Sequence, residues 1–283
     1  MDYCTLGRSG LRVSRLNLGA MTFGAGTGIW QSIAGLDREQ ATRLVALAVE
    51  RGVNLIDTAD AYGPEVSERL IAEALYPYPD DLVIATKGGL TRTGPGQWPP
   101  DGRPEHLREA CEGSLRRLKL DRIELYQLHR VDPKVPLEES LGALIELRDE
   151  GKIAHIGLSN VSVAQLEQGL AMTDIVTVQN RYNLSDRASE DVLDACTQRG
   201  IGFIPWFPLA TGSLAQPGGP LDEVAQAHDA TPSQIALAWL LAHSPIMLPI
   251  PGTSKVTHLE ENIAAAQVHL DDEEVRALAD AVR

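Results

Sequence analysis

Basic residues, cysteines and long apolar segments are all scarce in this chain of 283 residues. It has 25 Lys and Arg residues against 39 Asp and Glu residues, which gives a formal net charge of −14 at pH 7. Nucleic acids and anionic membrane surfaces bind clustered basic residues, so this balance argues against both as partners. A small phosphorylated ligand is not excluded, because it needs only a local positive pocket.

The three cysteines are Cys4, Cys111 and Cys196, and an odd, widely spaced set is atypical of a disulfide framework. The longest strongly apolar run covers residues 235–242, whereas a membrane-spanning helix needs about 20 residues. The N-terminal residues lack the basic and apolar regions of a signal peptide. Together these features predict a cytoplasmic protein with no membrane partner.

Motifs of several common site classes are incomplete. A glycine pattern that starts at Gly24 has Ile29 where a dinucleotide-binding fingerprint requires glycine, and Pro95 stands where a P-loop has lysine. The seven histidines show no HxxxH, HxH or HExxH spacing, and no GxSxG motif occurs. The sequence therefore predicts no metal site and argues against a serine hydrolase.

Apolar blocks rich in Val, Ile and Leu alternate with amphipathic stretches along the whole chain. The predicted strands are residues 15–19, 53–57, 82–87, 123–128, 153–158, 175–179, 202–206 and 247–250. The predicted helices are residues 37–51, 65–75, 104–119, 137–150, 162–171, 187–199, 232–243 and 255–266. Eight strands that each precede a helix predict an α/β fold, a (β/α)₈ TIM barrel, with an open doubly wound sheet as the alternative.

One domain accounts for the chain, with an N-terminal β-hairpin at residues 3–13, the barrel at 15–267 and a C-terminal helix at 271–282. Two connections, residues 24–35 and 88–103, are long for a barrel. Loops of this length are often lids over a binding site. Trp98, in the second, therefore either covers a substrate or lies in a plain surface loop.

Polar side chains stand where the predicted strands end. Asp57, Lys87 and His129 end or follow three successive strands, and Tyr62 follows Asp57 by five residues. An ammonium lowers the pKa of a nearby phenol, and a carboxylate holds the ammonium in place. This set suits proton delivery to an oxygen that becomes an alkoxide, as in carbonyl reduction by hydride. A buried ion pair that merely fills the barrel mouth is the structural alternative.

Eight groups of residues, in order along the chain, resemble motifs of the aldo-keto reductase superfamily. They are LGAMTFG at 18–24, DTADAYG at 57–63, ATK at 85–87, LYQLH at 125–129, GLSN at 157–160, VQN at 178–180, PWFPL at 205–209, and IPGTS at 250–254 with EEN at 260–262. The resemblance covers residues from about 4 to 280. It implies reduction of an aldehyde or ketone to an alcohol by a barrel that binds NADP(H) in an extended form, without a Rossmann domain.

The resemblance also implies residue roles. It places a catalytic tetrad on Asp57, Tyr62, Lys87 and His129. Tyr62 is then the general acid, and Lys87, supported by Asp57, lowers its pKa. His129 aligns the carbonyl group of the substrate.

The implied coenzyme contacts follow the strand ends around the barrel. They are Gly19, Ala20, Met21, Asp57, Ser159, Asn160, Gln179, Trp206, Phe207, Pro208, Leu209, Thr211, Gly212, Leu214, Ile250, Gly252, Thr253, Ser254, Lys255, His258, Glu261 and Asn262. Ser159, Asn160 and Gln179 match residues that hold the nicotinamide carboxamide, and Trp206 matches an aromatic residue that stacks on the ring.

The residues that would bind the adenosine end of the coenzyme determine the preference between NADP(H) and NAD(H). Thr253, Ser254 and Lys255 offer hydroxyls and a cation near a helix start, which suit a 2′-phosphate. His258 stands where the family often has arginine, and a neutral imidazole cannot make a bidentate fork. The resemblance thus predicts NADP(H), with a weaker preference over NAD(H).

Substrate contacts are predicted at the barrel mouth, from Met21, Phe23, Trp30, Tyr62, Trp98, His129 and Arg130. Arg130 either attracts an acidic substrate, pairs with Asp132 or faces solvent. The predicted partner is a small carbonyl compound, and the sequence leaves the oligomeric state open. A nucleotide-sensing regulatory barrel with little turnover is the alternative function.

Overall fold

The computed structural model describes residues 1–24, 38–94, 96–210 and 218–282. Its first element is the predicted hairpin, in which β1 (Tyr3–Thr5) pairs antiparallel with β2 (Arg12–Ser14). Leu6 and Val13 of this hairpin are fully buried and pack in one cluster with residues of the barrel strands. The hairpin therefore covers one end of the barrel and leaves the opposite end for a site.

Seven parallel strands follow among the described residues, in the order of the sequence. They are β3 (Leu18–Gly19), β4 (Leu55–Asp57), β5 (Val83–Gly88), β6 (Ile123–Leu128), β7 (Ile153–Ser159), β8 (Ile175–Gln179) and β9 (Gly202–Phe203). Most of their residues are buried, because helices cover the outer face while the inner face lines the barrel.

The segment around Leu248 closes the sheet into a barrel. On one side, the amide of Leu248 donates to the carbonyl of Phe203 over 2.8 Å. On the other side, the amide of Asn17 donates to the carbonyl of Pro249 over 3.0 Å. The predicted eighth strand thus occupies its expected place without a regular ladder, since Pro249 and Pro251 have no amide hydrogen to donate. The predicted TIM barrel is confirmed.

Glycine permits the close approach at this closure. A Cβ atom built on Gly19 would lie 2.4 Å from the carbonyl oxygen of Ile250. Any side chain at position 19 would therefore push β3 away from the closing segment.

Ten α-helices lie among the described residues. They are α1 (Arg38–Glu50), α2 (Val66–Leu75), α3 (Pro104–Leu118), α4 (Leu137–Asp149), α5 (Val163–Leu170), α6 (Glu190–Arg199), α7 (Asp222–Ala227), α8 (Pro232–His243), α9 (Val256–Ala264) and α10 (Asp272–Ala281). Only α7 has no counterpart in the prediction, because six residues are too few to show a helical period.

The structure also shows the state of the cysteines, the length of the helices and the grouping of potential metal ligands. Cys4, Cys111 and Cys196 are free thiols, and the last two are buried. No helix in the described part of the chain is long and apolar enough to cross a membrane. Across residues 1–24, 38–94, 96–210 and 218–282, no group of three His, Cys, Asp or Glu side chains is placed to hold a metal ion.

Candidate active site

Three of the predicted catalytic side chains meet at the open end of the barrel. Lys87, at the end of β5, donates from Nζ to Asp57 Oδ1 over 2.5 Å, and both side chains are fully buried. The same nitrogen donates to the Thr58 carbonyl over 2.9 Å and to the Tyr62 hydroxyl over 3.2 Å. An ammonium has three N–H donors, so all of them are used. Tyr62 consequently accepts a hydrogen bond and directs its own proton away from Lys87.

Burial and charge act in opposite directions on Tyr62. Burial raises the pKa of its phenol, and the charge of Lys87 lowers it by less, so the pKa lies above its usual value. From the sequence, only the lowering of this pKa by Lys87 was expected. The phenol is therefore protonated at neutral pH, which is the form that a proton donor needs.

Lys87 remains charged despite its burial. Burial alone lowers the pKa of its ammonium, but the charge of Asp57 and the contact with Tyr62 raise it by more. A protonated Lys87 beside an ionised Asp57 satisfies the rule that buried charges occur in pairs.

His129 packs edge-on against Tyr62, with ring centroids 5.7 Å apart. Burial and the positive charges of Lys87 and Arg130 hold the pKa of His129 well below its usual value. Its Nδ1 is buried and has no hydrogen-bond partner among the described residues. A neutral imidazole carries one N–H, so His129 can donate a hydrogen bond to a carbonyl oxygen placed beside Tyr62.

Two amide side chains hold the second oxygen of Asp57. Gln127 and Gln179 each donate from Nε2 to Asp57 Oδ2, over 3.0 Å and 2.8 Å respectively. The carboxylate therefore has Lys87 on one oxygen and two neutral donors on the other. Sequence reasoning missed Gln127, although a polar residue inside the apolar strand 123–128 is an available signal.

The predicted nicotinamide contacts also form one connected group. Asn160 donates from Nδ2 to the His129 carbonyl and to Ser159 Oγ, each over 3.0 Å, and Trp206 donates from Nε1 to Asn160 Oδ1 over 3.1 Å. Ser159 keeps its hydroxyl hydrogen for a further acceptor. Gln179, whose Nε2 is bound to Asp57, keeps Oε1 as an acceptor.

Backbone strain accumulates on the same side of the barrel. Asn160, Phe207 and Ala210 have left-handed backbone angles, with φ of 57°, 67° and 46°. Such angles are uncommon for residues other than glycine and cost on the order of 1–3 kcal/mol each. Strained residues of this kind cluster at functional sites.

Trp98 lies beside Tyr62. The two rings meet edge-on with centroids 6.4 Å apart, and the guanidinium of Arg92 lies 3.7 Å from the centroid of the Trp98 ring. The contact places Trp98 beside the predicted proton donor, and its role as a cover for the substrate stays a prediction. Arg92 was not among the predicted contacts, since nothing in the sequence places it beside Trp98.

The other predicted substrate contacts divide into three groups. Met21 and Phe23 lie in a 3₁₀ turn directly after β3, where Phe23 is buried. Arg130 is exposed, and Asp132 accepts instead from the backbone amides of Gly102 and Lys134. Trp30 lies outside the described residues.

The other predicted coenzyme contacts lie at the ends of barrel segments. Gly19 ends β3 and is followed by Ala20 and Met21, while Trp206, Phe207, Pro208 and Leu209 follow β9. Ile250, Gly252, Thr253, Ser254 and Lys255 lead into α9, which carries His258, Glu261 and Asn262. Thr211, Gly212 and Leu214 lie outside the described residues.

Asp60, two residues before Tyr62, was also not predicted. Burial and the negative charge of Glu68 raise the pKa of Asp60 to about 7. Its Oδ1 is buried and finds no hydrogen-bond partner in the described part of the chain. Asp60 therefore changes charge in the neutral range, and its ionised form raises the pKa of Tyr62.

We expect Asp60→Asn to be more stable than the wild type at pH 8 and equally stable near pH 4. The unfolded carboxyl group ionises near pH 4 and the native one near 7, so wild-type stability falls over that interval as pH rises. The wild type thereby loses at most about 4 kcal/mol of its free energy of unfolding at pH 8. Urea unfolding of both proteins at pH 4 and pH 8 measures this difference. Asp80→Asn, at an exposed carboxylate, is the control, and an equal gain in both variants would contradict the assignment.

Comparison with known proteins gives matches over almost the whole chain. A sequence model described as the aldo/keto reductase family matches residues 15–283. An uncharacterized oxidoreductase of Schizosaccharomyces pombe is 51% identical over 261 residues, covering 92% of this chain and 84% of the relative. Pyridoxine 4-dehydrogenase of Escherichia coli is 43% identical over 272 residues, covering 94% of each chain.

A solved structure extends the likeness to three dimensions. An aldo-keto reductase from Klebsiella pneumoniae, determined in complex with NADPH, has a TM-score of 0.80 and 28% identity. The superposition covers 99% of this chain and 95% of that chain.

Proposed function

This chain belongs to the aldo-keto reductase family, and from that premise we propose that it reduces an aldehyde or ketone to an alcohol with NADPH, with Tyr62 as the proton donor. The family resemblance of the sequence motifs is thereby confirmed. The single observation that carries the proposed chemistry is the orientation of Tyr62, which accepts from Lys87 and keeps its own proton for a substrate.

The proton transfer follows from the contacts of Tyr62. A carbonyl oxygen beside the Tyr62 hydroxyl and the His129 ring receives hydrogen bonds from both. As negative charge develops on that oxygen, Tyr62 transfers its proton, and the charge that remains on the phenolate lies 3.2 Å from the Lys87 ammonium. Asp57 keeps Lys87 charged and in place through the transfer. A donor and a cation arranged before the reaction lower the barrier without reorganisation.

The hydrogen-bonding atoms of Ser159 and Gln179 that have no protein partner among the described residues, at the ends of β7 and β8, fit a nicotinamide coenzyme. A carboxamide presents an acceptor oxygen and an NH₂ group with two donor hydrogens. Ser159 offers a hydroxyl hydrogen for the first, and Gln179 offers Oε1 for the second. Trp206, fixed through Asn160, supports the ring. When bound there, the reduced coenzyme supplies the hydride for the carbonyl carbon.

The start of α9 fits the phosphate of the coenzyme. Thr253 Oγ1 accepts from the amide of Lys255, which shapes the turn before the helix, and Lys255 is exposed. Free amides and the positive end of the helix dipole favour an anion here, and Lys255 adds a full charge.

An aldehyde panel tests the activity through the oxidation of NADPH. Pyridoxal belongs in this panel because the Escherichia coli relative is named for the oxidation of pyridoxine. We expect turnover with at least one aldehyde. A protein that binds NADPH and reduces none of a broad panel would instead favour the regulatory alternative.

We expect NADPH to be preferred over NADH, as the ratio of the two kcat/KM values. Lys255→Met should lower kcat/KM for NADPH by about 5- to 10-fold, because it removes one charge-assisted contact worth about 1 kcal/mol. NADH lacks the 2′-phosphate and serves as the internal control, so its value should not change. A strong preference of the wild type for NADH would overturn the coenzyme assignment.

A further inference from the structure

We propose that Gln127 is a positioning residue for the carbonyl reduction proposed above, on which this inference rests. Its side-chain amide holds Asp57, Asp57 holds Lys87, and Lys87 donates to the Tyr62 hydroxyl. Gln127 touches neither of the last two residues through a hydrogen bond, so its influence on the reaction passes through Asp57.

The contact divides the two oxygens of Asp57 between different partners. Lys87, on β5, occupies Oδ1, while Gln127, on β6, and Gln179, on β8, both donate to Oδ2. Donors on both oxygens fix the plane of the carboxylate and therefore the position of the ammonium that it holds. Loss of Gln127 leaves Oδ2 with Gln179 alone, so the carboxylate can turn further about its terminal bond.

The strand register makes room for Gln127. Lys87, Gln127, Gly157 and Thr177 are paired neighbours across four parallel strands. A Cβ atom built on Gly157 would lie 2.9 Å from Gln127 Cγ and 2.3 Å from Thr177 Oγ1. The side chains of Gln127 and Thr177 thus occupy the space beside Gly157. A side chain at position 157 would displace Gln127 from its place beside Asp57.

Gln127 carries a cost that an apolar residue in the same space would not have. Its Oε1 is buried without a hydrogen-bond partner among the described residues. An unsatisfied buried acceptor destabilises a protein, whereas a methionine of similar shape would leave no polar atom unpaired. The amide must face Asp57 with its NH₂ group, because the carboxylate oxygen only accepts. The hydrogen bond from Gln127 to Asp57 offsets the destabilisation that its unpaired Oε1 causes.

The hydrogen bond from Gln127 to Asp57 also affects the pKa of Tyr62. The charge of Asp57 raises the pKa of Tyr62, and the charge of Lys87 lowers it. A hydrogen bond from Gln127 disperses the charge on Asp57, so the phenol responds more to Lys87. Loss of the amide makes Tyr62 a weaker acid and its phenolate harder to form.

The test uses Gln127→Met in the reverse reaction, the oxidation of an alcohol with NADP⁺, which requires Tyr62 as phenolate. We expect kcat to fall about tenfold, the acid limb of its pH profile to move up by about half to one unit, and KM for the alcohol to stay within about twofold. Thr177→Val is the matched control, since it removes an unpartnered hydroxyl from the same buried row without touching Asp57. The pH profile of kcat for Thr177→Val should match that of the wild type.

A second measurement needs no turnover. Protein labelled with ¹³Cζ-tyrosine gives one NMR signal for each of its six tyrosines, and Tyr62→Phe identifies the signal of Tyr62. This signal should move in Gln127→Met and stay in Thr177→Val. An unmoved signal, or a pH limb equal to that of the wild type, would overturn the role of Gln127. A wild type without turnover counts against the proposed function, and the NMR result then decides on Gln127 by itself.

Discussion

Tyr62→Phe is expected to lower kcat for aldehyde reduction by about 10²- to 10⁴-fold, the range of a general acid, while NADPH still binds. The change removes one oxygen, which in the wild type accepts from Lys87 and carries the proton for the substrate. The ring contacts with His129 and Trp98 need no hydroxyl and remain. Steady-state kinetics and the quenching of protein fluorescence by NADPH measure the two properties separately.

The control for this variant is Tyr126→Phe. Tyr126, on β6, is fully buried, and its hydroxyl has no hydrogen-bond partner among the described residues. Its loss should leave kcat close to the wild-type value. Unchanged turnover in Tyr62→Phe would refute the assignment of the proton donor.

Lys87→Met is expected to abolish turnover and also to destabilise the fold by about 3–5 kcal/mol, because removal of one partner strands a buried charge. In the wild type, Lys87 and Asp57 are 0% and 1% exposed, so solvent cannot compensate for the lost ammonium. Gln127 and Gln179 still donate to Asp57, but neither carries a charge. Chemical denaturation and kcat measure the two effects.

The double variant Lys87→Met with Asp57→Asn separates stability from catalysis. It contains no unpaired charge, so it should recover most of the lost stability and none of the turnover. If the double variant were as unstable as the sum of both single variants, the pair would not be coupled in the way that the 2.5 Å contact implies.

Hydrophobic pattern was sufficient for most of the fold. Strands β6 and β8 and helix α8 have the bounds that the sequence predicts, because each is a strongly apolar block with clear limits. The predicted strands at 202–206 and 247–250 are shortened, the first to β9 and the second to a bridged segment. Prolines 205, 249 and 251 limit the ladder there, and hydrogen bonds rather than hydrophobicity decide where a strand ends.

The candidate site was predicted unevenly. Asp57, Lys87 and His129 could be proposed because charged and polar residues at the ends of apolar strands are unusual and share one face of a barrel. Gln127 carried a weaker signal, a polar residue inside an apolar strand, and only its contact with Asp57 gives it a role. Arg92 carried no signal, since its position depends on the contact with Trp98 rather than on a local pattern.

The eight apolar blocks, the polar residues that end them and the family to which their order belongs all follow from the amino-acid sequence. Which atoms of those residues face each other depends on the folded chain. Gln179 and Asp57 are 122 positions apart and meet only because the barrel closes. The fold also sets the direction in which the pKa of Tyr62 shifts, because burial raises this pKa by more than the charge of Lys87 lowers it. Desolvation and charge both depend on distances between segments remote in the chain, and those distances exist only in the packed fold.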